Sequence, residues 1–103
     1  MMKYVLKKCE EVYISEWRVI MVNYKCPCCG YYTLSDNKGN YEICPVCYWE
    51  DDPIQIEDEE LEGGANKVSL AQARKNFIRF GACEEELLIY TRKPFKEERN
   101  GLN

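Results

Sequence analysis

Two short cysteine pairs, each with a proline inside it, restrict this chain more than any other feature. They are Cys26-Pro27-Cys28-Cys29-Gly30 and Cys44-Pro45-Val46-Cys47. Fourteen residues, 30–43, lie between Cys29 and Cys44, enough for two short strands and a turn. Tyr31 to Leu34 reads as one strand, residues 35–40 as a polar turn and Tyr41 to Cys44 as the returning strand. Folding these back on each other brings Cys26, Cys29, Cys44 and Cys47 to one point, the tetrahedral sulfur cage that zinc prefers. Pro27 and Pro45 pre-set the backbone of the two knuckles, and Gly30 permits the positive φ that a tight turn around sulfur needs. Cys28 lies between two ligands, but its C-x-C spacing to Cys26 is geometrically tight, so 26 and 29 are the better pair. Cys28 is therefore read as a partly buried passenger, and Cys9 and Cys83 as small apolar residues.

A chain of 103 residues is one domain by length, with a core small enough for a bound ion to matter. Structural zinc can add on the order of 10 kcal/mol of apparent folding free energy. A hydrophobic fraction of 46% and thirteen aromatic residues argue for a folded protein rather than a disordered one. Seven cysteines is an odd number, and they are clustered, which suits metal ligands in a reducing compartment better than a disulfide framework. The longest apolar run near the start, Val19 to Val22, is far too short for a membrane span, and the N-terminus lacks the apolar stretch of a signal peptide. A cytoplasmic location is the expectation.

The net charge of −4 conceals a division. Between Glu50 and Glu62 lie eight acidic residues and no basic one, leaving 14 basic and 10 acidic groups elsewhere. The reading is a mildly basic body with an acidic loop, closed by Gly63-Gly64-Ala65-Asn66. Consecutive carboxylates at 50–52 are read as a solvated face rather than a second cation site.

Met2 to Glu11 is expected as a short helix and Val12 to Tyr24 as a strand. The clearest helix follows the acidic loop. Ser69 is its N-cap, Gln72 completes a capping box, and Leu70, Ala73, Phe77 and Phe80 form one apolar stripe. Lys75 and Arg79 lie toward the end where the dipole favours cations, and Gly81 suits C′. Leu87 to Thr91 reads as a last strand, and Arg92 to Asn103 as a polar tail anchored by Phe95. Tyr31, Tyr32, Tyr48 and Trp49 flank the knuckles and are expected to cover the metal and receive Phe77 and Phe80.

With CPCCG, Tyr31-Tyr32-Thr33-Leu34, YEICPVCYWEDD (Tyr41 to Asp52), GGAN, VSLAQAR and NFIRFGACEE in this order, the chain resembles the cysteine-rich CPCC family, a bacterial group named for its cysteine motif. The resemblance runs from about Lys25 to Arg99. It implies a zinc-ribbon-like domain over 25–99, with an N-terminal extension over 1–24 and a tail over 100–103. It implies no activity. Met21, just before the similar region, is a candidate internal start.

The expected fold is small α+β: a zinc-ribbon-like hairpin, an N-terminal strand beside it, and one packed helix. Enzyme chemistry is poorly supported. The sequence contains no histidine, the commonest general base and catalytic zinc ligand, and four thiolates leave no open position for water. The expected function is a non-catalytic, zinc-stabilised module that presents its acidic loop and aromatic surface to another protein. One alternative is an iron electron carrier similar to rubredoxin, disfavoured because Tyr48 replaces the glycine expected after the second knuckle and because the acidic loop and long helix do not belong to that pattern. The other is a nucleic-acid-binding zinc ribbon using Arg74, Lys75, Arg79, Arg92, Lys93, Lys96 and Arg99. The acidic run would repel a phosphate backbone, and Lys75 and Arg79 are expected to pair with it instead.

Overall fold

In a computed structural model, residues 23–100 are described. The expected N-terminal helix, most of the strand from Val12 to Tyr24, Cys9 and Met21 lie outside them, as do residues 101–103. The elements run in the order β1 (Tyr24–Lys25), β2 (Tyr32–Leu34), α1 (Pro53–Glu57), α2 (Leu70–Phe80), a 3-10 helix (Glu85–Tyr90) and α3 (Lys96–Asn100). This is the α+β class expected from the sequence, but its strands pair differently.

β2 pairs antiparallel with β1, Tyr24 opposite Leu34 and Lys25 opposite Tyr32, and not with Tyr41 to Cys44. The returning segment pairs with residues beyond the second knuckle: Ile43 bridges Glu50, Tyr41 N–H donates to Asp51 O, and Asp51 N–H to Glu42 O. Each knuckle therefore closes its own hairpin. The reason is chain entropy: a knuckle already reverses the chain, so its flanks meet at little further loop-closure cost. Residues 35–42 are joined by a side chain rather than a ladder. The Glu42 carboxylate accepts from the backbone N–H of Ser35 at 2.9 and 3.0 Å and from that of Asp36 at 3.2 Å.

The acidic segment is not all loop. Asp52 caps α1, its carboxylate accepting from Ile54 and Gln55 N–H, and Pro53 occupies the first turn. Asp followed by Pro is an N-cap signature, since proline has no N–H to leave unsatisfied. α2 forms over its anticipated span. Ser69 Oγ accepts from Gln72 N–H, and Gly81 ends the helix at φ 97°. Gln72 leaves the capping box half made, because its carboxamide donates to Asn76 Oδ1 at 2.8 Å.

Of the strand anticipated at Leu87 to Thr91, residues 87–90 instead belong to the 3-10 helix, and Thr91 is its C-cap. Leu88, Ile89 and Tyr90 are all exposed, so no alternating face is buried there to favour a strand. The polar tail likewise acquires structure: α3 lies against β2, and its anchor is Glu98, buried, rather than Phe95, which is more than half exposed. Glu98 receives Arg92 through two contacts of 2.8 Å, while the Arg92 guanidinium stacks 3.8 Å above the Phe95 ring.

The core is small. Trp49, Leu34, Leu70 and Val46 surround the cysteines, with Ala73, Phe77 and Leu87 adding the helical side. Tyr31 meets Phe77 edge-on at 6.2 Å, as the apolar stripe of α2 requires. Tyr48 instead stacks on Tyr90 at 5.3 Å.

Candidate metal centre

Both cysteine pairs adopt one backbone design. In the first knuckle Gly30 N–H donates to Cys26 O at 2.9 Å and Cys26 N–H to Tyr31 O at 2.8 Å. In the second, Tyr48 N–H donates to Cys44 O at 2.8 Å and Cys44 N–H to Trp49 O at 2.9 Å. The fourth step of each turn is left-handed, Gly30 at φ 82° and Tyr48 at φ 69°. A tyrosine thus does here what glycine does in the other knuckle. The replacement leaves the turn unchanged, so Tyr48 does not count against iron. Holding a non-glycine residue in this region costs roughly 1–2 kcal/mol, which the ring stack on Tyr90 helps offset.

The turns deliver four sulfurs to one place. Cys26, Cys29, Cys44 and Cys47 Sγ lie within 4.8 Å of one another. Cys26 and Cys47 are 3.6 Å apart and Cys29 and Cys44 3.7 Å, without a disulfide among the described cysteines. A regular tetrahedron with metal–sulfur bonds of about 2.3 Å has edges of about 3.8 Å. These two separations match that edge, and the quartet as a whole is compact enough to gather around one four-coordinate ion. Cys26, Cys44 and Cys47 are wholly buried, and Cys29 is at the rim. Cys28 is buried outside the quartet, and so is Cys83, whose N–H donates to Cys47 O at 2.8 Å. Burial first of all pushes the Cys83 thiol up to about 12, so it stays protonated and inert.

Protons distribute unevenly over the quartet. Cys44 is held well below the ordinary thiol range, first by hydrogen bonding from Cys26, then from Cys29, Cys47 and the Thr33 hydroxyl. Cys26 is pushed up, first by its hydrogen bond to Cys29 and also by burial. Cys47 is pushed up as well, first by its hydrogen bond to Cys26. Cys29 rises too, although its leading contact, with Cys26, opposes the rise. A divalent ion at this point would supply the charge that lets all four sulfurs ionise. Two polar groups aim at Cys44 Sγ, the Thr33 hydroxyl at 3.0 Å and Val46 N–H at 3.4 Å.

A buried polar network, missed in the sequence reading, locks the acidic segment beside the centre. Gln55, fully buried, places its amide nitrogen 3.0–3.1 Å from the carbonyls of Leu61, Asn66 and Val68. Its Oε1 accepts from Asn66 N and Nδ2, both at 3.0 Å. Asn66 in turn holds both backbone groups of Glu50, at 2.8 and 2.7 Å. Asp51 and Asp52 are buried rather than solvated, because they serve backbone donors: Gly39 N–H binds Asp51 Oδ2 at 2.7 Å and Ala65 N–H binds Asp52 Oδ2 at 2.8 Å. Burial pushes the Asp51 carboxyl up against the opposing pull of Gly39. For Asp52 burial is again the largest single influence, yet the combined N–H bonds from Ala65, Ile54 and Gln55 win and its pKa falls. Gly64 must be glycine, since a Cβ there would lie 2.6 Å from Asp52 Oδ2 and 2.8 Å from the Gln55 amide. The Asp-Pro pair and the Gly-Gly-Ala-Asn turn were the available signals.

The acidic segment meets α2 through Arg74, not through Lys75 or Arg79. Arg74 Nη1 pairs with Glu59 at 2.7 Å, and Arg74 Nε donates to Pro27 O at 2.9 Å, joining the first knuckle to both elements. Arg79 instead lies 5.1 Å above the Phe80 ring.

Two equivalent knuckles presenting a closed sulfur quartet, flanked by short helices, define a small α+β protein with a zinc-ribbon-like, metal-binding type of centre. The family model described as Cysteine-rich CPCC matches residues 24–98, and the chain belongs to that family. Comparison with curated proteins gives no match. Among the described residues no helix is long and apolar enough to cross a membrane.

Proposed function

We propose that this protein is a non-catalytic module in which Cys26, Cys29, Cys44 and Cys47 bind one zinc ion, and whose outer surface serves a protein partner. The observation that carries this is the quartet itself: four sulfurs within 4.8 Å of one another, three of them wholly buried, on two turns of the same geometry. Zinc bound there supplies folding free energy rather than a reactive water, because sulfur fills every position of a tetrahedral site. The chain has no histidine to complete a catalytic site. A thiolate cage also needs a reducing compartment such as the cytoplasm.

The surface supports the second half of the proposal. Ile78 and Ile89 are more than four-fifths exposed, and Tyr90 and Phe95 more than half. In this reading these exposed apolar side chains are what a partner covers. Purification under reducing conditions followed by elemental analysis is expected to give one zinc per chain, and a strong chelator is expected to unfold the protein.

A second reading is favoured by the matched knuckles. Tyr48 reproduces the Gly30 conformation, so the cage suits iron as well as zinc, and an electron carrier would follow. A red protein with reversible one-electron reduction would replace the zinc proposal.

A further inference from the structure

The two halves of α2 face surroundings of opposite charge. Its first half is bound to the acidic segment, with Ala71 N–H donating to Glu59 O and Arg74 paired with Glu59. Its second half opens onto a groove of about 430 Å³, formed with the 3-10 helix and residues 91–94. The floor is apolar: Val46, Phe77, Phe80 and Leu88. Three cations, Arg92, Lys93 and Arg99, stand along the groove, and among the described residues nothing acidic lines it. Arg92 is already held by Glu98, which cancels one charge; among the described residues no carboxylate pairs with Lys93 or Arg99. Both are exposed.

We infer that this groove docks a segment of another protein in which an apolar side chain is flanked by carboxylates. The inference rests on the protein-interaction reading above and names the face and the partner chemistry it uses. An apolar floor rewards burial of an aliphatic or aromatic side chain. Lys93 and Arg99 at its edge select acidic neighbours and repel basic ones, so charge supplies orientation and discrimination more than affinity. The Arg92–Glu98 pair and the stack of Arg92 on Phe95 hold this side of the groove in shape before a partner arrives, which lowers the ordering cost of binding. Single-stranded nucleic acid fits less well. Tyr31 meets Phe77 edge-on and Phe80 lies beneath Arg79, so these rings are already engaged instead of standing free as platforms for bases.

The test is a selection of random dodecapeptides displayed on phage, made in parallel against the full zinc-loaded chain and its Lys93→Glu/Arg99→Glu variant. Both substitutions are on exposed side chains away from the cage, and zinc content and melting temperature report whether the variant is folded. The wild type is expected to enrich an aromatic or aliphatic residue flanked by Asp or Glu. The variant is expected to bind the selected peptides roughly tenfold more weakly. A Leu88→Asp variant is expected to lose them while keeping its zinc. No enriched motif, a basic motif, or undiminished binding to the charge-reversed variant would overturn the inference. Binding of an oligouridylate that Lys93→Glu/Arg99→Glu abolishes would reassign the groove to nucleic acid. A zinc-loaded chain that selects nothing refutes the groove alone, whereas a folded chain without zinc refutes the metal proposal whatever the groove does.

Discussion

Replacing Gln55 by leucine asks whether the acidic segment is held by its buried amide or only by apolar contact. The side chains are of similar size, so the substitution removes hydrogen bonds while leaving little cavity. It strands the carbonyls of Leu61, Asn66 and Val68 and the backbone N–H of Asn66, which all meet the Gln55 amide at 3.0–3.1 Å, while Asn66 Nδ2 keeps only its bond to Glu50 O. Gln55 is 0% exposed, so water does not replace it without opening the turn. Each buried polar group left unpaired costs about 1–3 kcal/mol. Two that stay stranded after relaxation, less the gain from a buried leucine, give a net loss of roughly 3 kcal/mol. For a domain of this size that lowers the melting temperature by about 10–20 °C. Circular dichroism melts of metal-saturated protein, with metal content measured on the same sample, supply the reading. Ile54→Ala, on the exposed side of the same short helix, is the control and is expected to shift the melt by only about 2 °C. A Gln55→Leu protein that melts as the control does would show that the network contributes no net stability.

Cys47→Ser is expected to abolish metal retention and cooperative folding, while Cys28→Ser, outside the quartet, keeps a full complement of metal by elemental analysis. Tyr48→Gly removes left-handed strain of roughly 1–2 kcal/mol and a ring stack of about 0.5–1.5 kcal/mol; the two nearly cancel, so chelator midpoints of the variant and wild type are expected to agree. Gly30→Ala has no such compensation and is expected to lower the midpoint. Asp52 has a depressed folded pKa, so its stabilisation is fully present above the unfolded value of about 3.9 and is lost as pH falls through the folded value. The melting difference between wild type and Asp52→Asn is therefore expected to be large at neutral pH and to shrink in acid; a difference that grows on acidification would reverse the assigned sign.

The parts of this molecule legible in its sequence are those governed by local rules. Cysteine spacing identifies the quartet because two C-x-x-C turns each present a pair of sulfurs on the same side. Ser69, the 3-4-3 apolar spacing and Gly81 identify α2 because caps and periodicity act within a few residues. Strand partnering was not legible: residues 31–34 and 41–44 both suit a strand, and only closure of each knuckle on its own flanks decides which neighbour is used. Gln55 and Asn66 look like loop residues in sequence, since polarity signals solvent unless the surrounding carbonyls are known. Leu87 to Thr91 carries strand-forming residues but has no buried face, and Glu98 hides as a tail charge until Arg92 is seen beside it. The Tyr48 turn is the sharpest case, because a residue that disfavours positive φ adopts it when the knuckle demands it.

X-ray absorption at the zinc edge of the full-length protein tests the centre most directly. The expected spectrum is a single shell of four sulfurs at about 2.3 Å with one zinc per chain. A shell containing oxygen or nitrogen, or fewer than four sulfurs around the ion, would contradict the tetrathiolate centre on which the account rests.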